Sequence, residues 1–322
     1  MVWNKPWRLT EGFLIGVGLI VVGLVLQLTV GPVNWDVFAW PVNICTLAVM
    51  ILIIVGMHLL RRRVYAFTFM GTWTAAVPTL AFGALLTVIM GLTRQQDGGT
   101  WLNDMLTFWP FVLIYTYMVL ILGLVTMKRL AHFPPKGGLW RTVSFLLNHL
   151  GLFLALTAGT LGNADMQQLQ MWTTNNPEMA NMLSGSDTYN RYERFAINNR
   201  GERIELPLAI ELKRFINETY DDGTPRRYAS DVVIYSKTSM HRYAATIDVN
   251  HPVTIDGWKI YQKDFRLTEA DDDCQVSILE LVRDPWLPWV YAGIIMMLAG
   301  ALTLLTSRRG LTSRHQDNKI IR

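Results

Sequence analysis

Ser144-Phe145-Leu146-Leu147-Asn148-His149-Leu150-Gly151-Leu152-Phe153-Leu154-Ala155-Leu156 is the stretch that decides how this chain is read. With its apolar flanks the run reaches the length that a helix needs to cross a ~30 Å hydrocarbon core, so it is read as a membrane-spanning helix. His149 is the most deeply placed ionisable residue in the hydrophobic segments. A polar side chain at that depth is costly unless something pairs with it, which makes it a functional candidate by default. The plainer alternative is a neutral imidazole bonded to a neighbouring helix, and the residue alone leaves both open.

Working outward, similar apolar runs occur at about residues 11–31, 38–60, 66–92, 107–127, 143–162 and 286–306. Of the 322 residues, 51% are hydrophobic and 17% charged, and the charged share is below the ~25% typical of a soluble domain. The chain is therefore expected to be a polytopic α-helical membrane protein with six spans. The first run is too long for a signal-peptide core and lacks a small-residue cleavage site, so it is read as a retained span.

Charge asymmetry orients the bundle. Lys5 and Arg8 precede the first span, and Arg61, Arg62 and Arg63 follow the second. Lys128, Arg129, Lys136 and Arg141 lie between the fourth and fifth, and Arg308, Arg309, Arg314, Lys319 and Arg322 follow the last. The alternate loops are nearly free of basic residues, so the positive-inside rule puts both termini in the cytoplasm. Trp35, Trp40, Trp101, Trp109, Trp286 and Trp289 then fall at the outer interface, with Trp7 and Trp140 at the inner one. The formal net charge of +4 is mostly this topological charge, and no nucleic-acid partner is inferred from it.

The remaining polar segment is expected outside, in the periplasm of a bacterium. It reads as β-rich after a helical or irregular entry over residues 165–190. Leu206-Pro207-Leu208-Ala209-Ile210-Glu211-Leu212 alternates apolar and polar positions as a half-buried strand does. Residues 231–235, 243–249, 258–262 and 275–282 behave alike, and Asp256-Gly257 signals a hairpin turn. The expected layout is a five-helix membrane region at 1–162, the β-rich extracytoplasmic domain at 163–284 between spans five and six, the sixth transmembrane helix at 285–306 and a basic cytoplasmic tail at 307–322.

Several chemistries are excluded. Cys45 and Cys274 form no C-x-x-C or C-x-x-C-H motif, so the chain is neither a thiol oxidoreductase nor itself a c-type cytochrome. Glu269-Ala270-Asp271-Asp272-Asp273 lacks calcium-loop spacing and is read as a solvated turn. His241 and His251 adjoin turns with no second ligand at a suggestive spacing, and Asn217-Glu218-Thr219 is too short a pattern to carry a glycosylation site. No Ser-His-Asp set or phosphate-binding glycine loop is found, and no catalytic residue is assigned.

The stretch Val249-Asn250-His251-Pro252-Val253-Thr254-Ile255-Asp256-Gly257-Trp258-Lys259-Ile260-Tyr261-Gln262 resembles a hallmark of the ResB (CcsB) family of cytochrome c biogenesis proteins. Asn148-His149-Leu150-Gly151 through Gly159 and Gly162 resembles the family's histidine-bearing span, and Glu280-Leu281-Val282-Arg283-Asp284-Pro285 fits the same plan. The resemblance covers roughly residues 142–306. It implies a subunit of a system II cytochrome c synthase, assisting haem transfer across the membrane and its covalent attachment to apocytochrome c. It also implies a CcsA-type haem-handling partner, with thiol-reducing periplasmic proteins as further partners.

On that resemblance His149 matches an axial ligand to the iron of haem b, transported or transiently bound. The residue spacing agrees: His149 follows Arg141 by about eight residues, roughly 12 Å into the span, and imidazole is a suitable haem ligand. His58, near the cytoplasmic end of the second span, is the other candidate, but its depth differs by a turn or more and an interfacial role is the plainer one. The departures are two spans beyond the family's usual three before the domain, a short domain, and no Trp-Gly-x-x-Trp-x-Trp-Asp element. Two other readings stand beside this one. One is a b-type haem anchor of a quinone-linked redox complex, which usually needs paired histidines at one depth; the other is a non-catalytic membrane scaffold.

Overall fold

The protein is described here as a computed structural model over residues 3–95, 101–135, 138–184, 192–221, 224–267 and 275–320. Lys136, the acidic run 269–273, Cys274 and Arg322 lie outside the described residues. The chain divides into two compact units, residues 1–164 with 286–322, and residues 165–285.

In chain order the helices are α1 (Leu9–Thr29), α2 (Val42–Leu60), α3 (Tyr65–Met70), α4 (Trp73–Leu92), α5 (Trp109–Leu130), α6 (Leu139–Gly162), α7 (Pro177–Ser184) and α8 (Leu287–Ile320). All but α3 and α7 are long and apolar enough to cross a membrane, as the apolar runs predict. The third run is corrected: 66–92 is not one helix. It breaks at Gly71 and Thr72, where Thr72 is extended (φ −117°, ψ 159°) as the N-cap of α4. The bend lets Phe69 of α3, 1% exposed, pack edge-on to Trp7 at 5.2 Å, while the Tyr65 hydroxyl accepts the Trp7 N–H at 3.1 Å. Tertiary packing of two aromatic residues outweighs continuous hydropathy here. The last helix is also longer than its apolar stretch, which ends at Leu305, and continues to Ile320.

Helices α6 and α8 form the closest pairing in the membrane unit. A Cβ on Gly151 would lie 2.5 Å from the Gly293 carbonyl oxygen and 2.6 Å from the Met297 nitrogen. A Cβ on Gly300 would lie 2.5 Å from the Asn148 nitrogen. Small residues let two backbones approach this closely, and an interhelical hydrogen bond fastens the seam: Asn148 Nδ2 donates to the Met297 carbonyl at 3.2 Å. Gly151→Ala is expected to cost about 1–3 kcal/mol through overpacking, since backbone rather than a mobile side chain must yield. Thermal loss of helical circular dichroism in detergent reads this out; an unchanged midpoint would mean the seam is looser than described.

The second unit holds eight described strands, β1 (Gln167–Thr174), β2 (Glu193–Ile197), β3 (Arg203–Thr219), β4 (Pro225–Ser236), β5 (Arg242–Asp248), β6 (Val253–Ile255), β7 (Trp258–Leu267) and β8 (Gln275–Arg283). They form one antiparallel sheet in the order β5-β4-β3-β2-β1-β8-β7-β6. The sheet curls into a nearly closed barrel. Leu169, Ile210, Ile234, Ile247, Ile260 and Leu281, from six strands including the edge strand β5, share one buried cluster. The strands expected from alternation are present.

The entry segment is the second correction. Residues 165–190 do not form only a helical or irregular lead-in. β1 lies within them as a central strand, pairing with β8 from Gln167↔Arg283 to Thr174↔Val276. Its inward residues Leu169, Met171 and Thr173 are 3%, 0% and 2% exposed. The period-two signal was present, but glutamines and threonines diluted it. The other part, Pro177–Ser184, is helical as α7.

Candidate functional site

His149 stands in the middle of α6, half-buried. Its Nδ1 lies 3.0 Å from the Phe145 carbonyl oxygen one turn earlier in the same helix. A carbonyl only accepts, so Nδ1 carries the hydrogen and Nε2 is left with its lone pair outward. Hydrogen bonding of one ring nitrogen to a carbonyl is the usual means by which a metal-binding imidazole is held in one tautomer and one orientation. The Phe145 ring stacks on the imidazole at 3.8 Å and 21°, which further fixes the ring plane. The neighbouring-helix bond that the sequence left open is not the one made; the described partner is on α6 itself.

Helical spacing decides which way the ring faces. Phe145, His149 and Phe153 are four residues apart and share one face. Phe153 meets α5, since a Cβ on Gly123 would lie 3.1 Å from its ring. Asn148 and Gly151 meet α8, and at 100° per residue His149 points about 130° away from that seam. The tight packing therefore holds α6 from behind while the imidazole looks toward the α5 side.

A cation completes the neighbourhood. Arg129, in the last turn of α5, donates to Thr142 Oγ1 at 2.8 Å, and its guanidinium lies 5.8 Å from the centre of the Phe145 ring. Arg129, Phe145 and His149 thus stand in series, a fixed positive charge beyond the aromatic ring that covers the imidazole. Sequence reading gave Arg129 only a part in topology. Its place beside Phe145 depends on packing between α5 and α6, which spacing within either helix does not reveal.

His58 is placed apart from this group. It lies in the last turn of α2, and Arg61 donates from Nη1 to its Nδ1 at 3.0 Å. The level of both histidines follows from a shared marker: the buried Asn43 donates from Nδ2 to the Leu161 carbonyl at 3.4 Å, joining α2 to α6. Counting from that bond at 1.5 Å per residue, His58 is roughly 22 Å along and His149 roughly 18 Å along, close to one turn of offset. Among the described residues no group of three or more His, Cys, Asp or Glu gathers to hold a metal ion.

In the barrel, the 249–262 block has a structural explanation. Asp256 (φ 50°) and Gly257 (φ 81°) make the β6–β7 turn, the positive-φ pair that a tight hairpin requires. Trp258, Ile260 and Gln262 then point inward at 2%, 0% and 5% exposure. Gln262 accepts from Ser230 of β4 at 2.6 Å, and its Nε2 donates to the Ser277 hydroxyl of β8 at 3.1 Å and to the Asp264 carbonyl at 2.9 Å. A buried amide this well satisfied ties both halves of the curled sheet together. The Asp256 carboxylate accepts from Ser236, at the end of β4, a second clasp of the same kind. His241 and His251 are exposed.

Residues 131–280 match the ResB-like family. That stretch includes α6 with His149 and the 249–262 block. Cytochrome c biogenesis protein CcsB of Prochlorococcus marinus (strain MIT 9301) is 25% identical over 146 residues, 45% of this chain and 30% of that protein. Cytochrome c biogenesis protein CcsB of Prochlorococcus marinus subsp. pastoris (strain CCMP1986 / NIES-2087 / MED4) is 25% identical over 150 residues, 47% of this chain and 31% of that one. The chain thus spans about a third of the length of these relatives. Among solved structures, Cytochrome c Heme Lyase CcmF aligns with 70% of this chain and 33% of its own at 16% identity, with a TM-score of 0.33, too loose to carry an argument.

Proposed function

We propose, from the premise that this is a ResB/CcsB-type protein of cytochrome c biogenesis, that it is the haem-delivery subunit of a cytochrome c synthase. The observation that carries the proposal is the His149 imidazole, with Nδ1 held by the Phe145 carbonyl and Nε2 turned away from the α8 seam. Haem is the cargo, and Nε2 supplies one axial bond to its iron. The second comes from a histidine of a CcsA-type partner. Arg129 is suited to meet the haem carboxylates, because a guanidinium fixed beside an aromatic ring binds planar anions in a defined geometry.

In this reading the helices cross the inner membrane with both termini cytoplasmic, supported by the basic residues clustered at alternate helix ends. The barrel stands in the periplasm, where it receives apocytochrome c or braces the partner. The chain itself ligates, orients and positions. Thioether formation between haem and the two cysteine thiols belongs to the partner's site. A b-type anchor with paired histidines fits less well, because His58 is offset by about a turn and Arg61, donating to its Nδ1, puts the ring hydrogen on Nε2 and leaves neither nitrogen a free lone pair.

Co-expression of this chain with a CcsA-type protein, followed by pyridine haemochrome spectra of the purified complex, tests the reading. Haem is expected in the complex and to fall sharply when the chain is purified alone. An assembled complex with no haem would make this subunit a scaffold.

A further inference from the structure

The membrane unit contains a cavity of about 800 Å³ between α2, α5, α6 and the loops before α2 and α5. That volume is ample for a small-molecule site. Neither His149 nor His58 lines it, so it is distinct from the site described above. We propose that it binds one acyl chain of a membrane phospholipid.

Three observations select that occupant. The first is the lining. Val49, Ile53, Phe111, Val112, Val119 and Leu120 make walls that offer no polar group. Four of the five hydroxyls on the lining, all but that of Thr116, are engaged within the protein: Thr46 donates to Val42 at 2.9 Å and Thr157 to Phe153 at 2.7 Å. Tyr115 donates to Leu156 at 3.0 Å and receives the Thr160 hydroxyl at 3.0 Å. A wall this apolar, with most of its donors engaged, favours a saturated chain over a ligand that must hydrogen-bond inside.

The second is length. From Trp109 to Leu120 the lining descends eleven residues of α5, roughly 16 Å at 1.5 Å per residue. That is about half of a ~30 Å hydrocarbon core, the depth of one leaflet. The third is the mouth. Trp35 and Trp109 stand at one end of the cavity, and each indole N–H is tied to the opposite loop, Trp35 to the Leu106 carbonyl at 3.0 Å and Trp109 to the Gly31 carbonyl at 2.8 Å. Val33 N–H to the Thr107 carbonyl at 2.9 Å adds a third lace between the same loops. Tryptophan sits where a bilayer passes from headgroup to chain, so the end of the cavity marked by Trp35 and Trp109 suits the level where a phospholipid changes from polar to apolar.

This inference does not rest on the haem reading. The test reconstitutes the full chain in phosphatidylethanolamine and phosphatidylglycerol vesicles doped with a phospholipid carrying a mid-chain diazirine. After photolysis the labelled peptides are mapped. Adducts at Met50, Val112 and Leu120 are expected severalfold above those at Val17 and Val21, which are exposed on α1 and report the general lipid annulus. Thr116→Trp, which fills the cavity from α5, is expected to abolish the cavity adducts and leave the α1 adducts unchanged. Cavity labelling no greater than the annular labelling in the wild-type protein would overturn the proposal without any variant. Loss of cavity adducts when a membrane partner is co-purified would assign the space to a partner helix and overturn it equally.

Discussion

His149→Ala is expected to reduce the haem held by the assembled complex roughly tenfold or more. Losses of outer hydrogen-bond partners at metal sites already cost about 10–100-fold in affinity, and this change removes the ligand atom itself. Assembly should survive. The Gly151, Gly293 and Gly300 contacts with α8 lie on the other side of α6, and the Asn148 bond to Met297 does not involve the imidazole. Haem per complex, measured as pyridine haemochrome against subunit stoichiometry, separates the two effects. His58→Ala is the internal control and should leave haem content near wild type. Full haem retention by His149→Ala in an intact complex would reduce the residue to a packing role beneath Phe145.

Trp258→Ala should be the most damaging change in the barrel, at about 3–5 kcal/mol for removal of a buried aromatic side chain. Trp258 is 2% exposed within the cluster that includes Ile255, Ile260 and Leu281, and the Arg283 guanidinium lies 5.9 Å from its ring. It also directly follows the Asp256-Gly257 turn, so the cavity would open where β6 and β7 begin to pair. Limited proteolysis of the whole protein in detergent is the readout. Cleavage within the barrel should appear at temperatures where the wild type resists, with the helices still protected. Equal resistance of the two proteins would mean that neighbouring side chains collapse into the space.

Hydropathy run length was enough to find the long helices, because a span is defined by one local property. It failed at Gly71 and Thr72, where the fold depends on Phe69 reaching Trp7 across 62 positions of sequence. Alternation found β3, β4, β5, β7 and β8, whose inward positions carry β-branched and aliphatic residues. It missed β1, whose Gln168, Gln170 and Thr173 resemble a linker until β8 supplies the other side. At the candidate site the imidazole was legible because a histidine amid leucines is rare. The tautomer, the Phe145 cover and the Arg129 charge were not, since each is a fact about rotamers and neighbouring helices. Gln262 could be quoted as part of a motif, yet its satisfied hydrogen bonds to Ser230 and Ser277 became visible only once β4, β7 and β8 curled together.

The α6–α8 seam also acts on the chain as a topological device. Gly162 at the end of α6 is in contact with Trp286 just before α8, and Gln167 at the start of β1 pairs with Arg283 at the end of β8. The intervening barrel is therefore a loop whose two ends are held beside each other in the folded protein. Closing an unconstrained loop of this size costs on the order of 4 kcal/mol from its length dependence alone. Once α6 and α8 are paired, the β1–β8 pairing is no longer the most distant contact in the unit but an adjacent one. The two helices then do for the barrel what a crosslink between its termini does for a small secreted domain, using glycine against backbone in place of sulfur against sulfur.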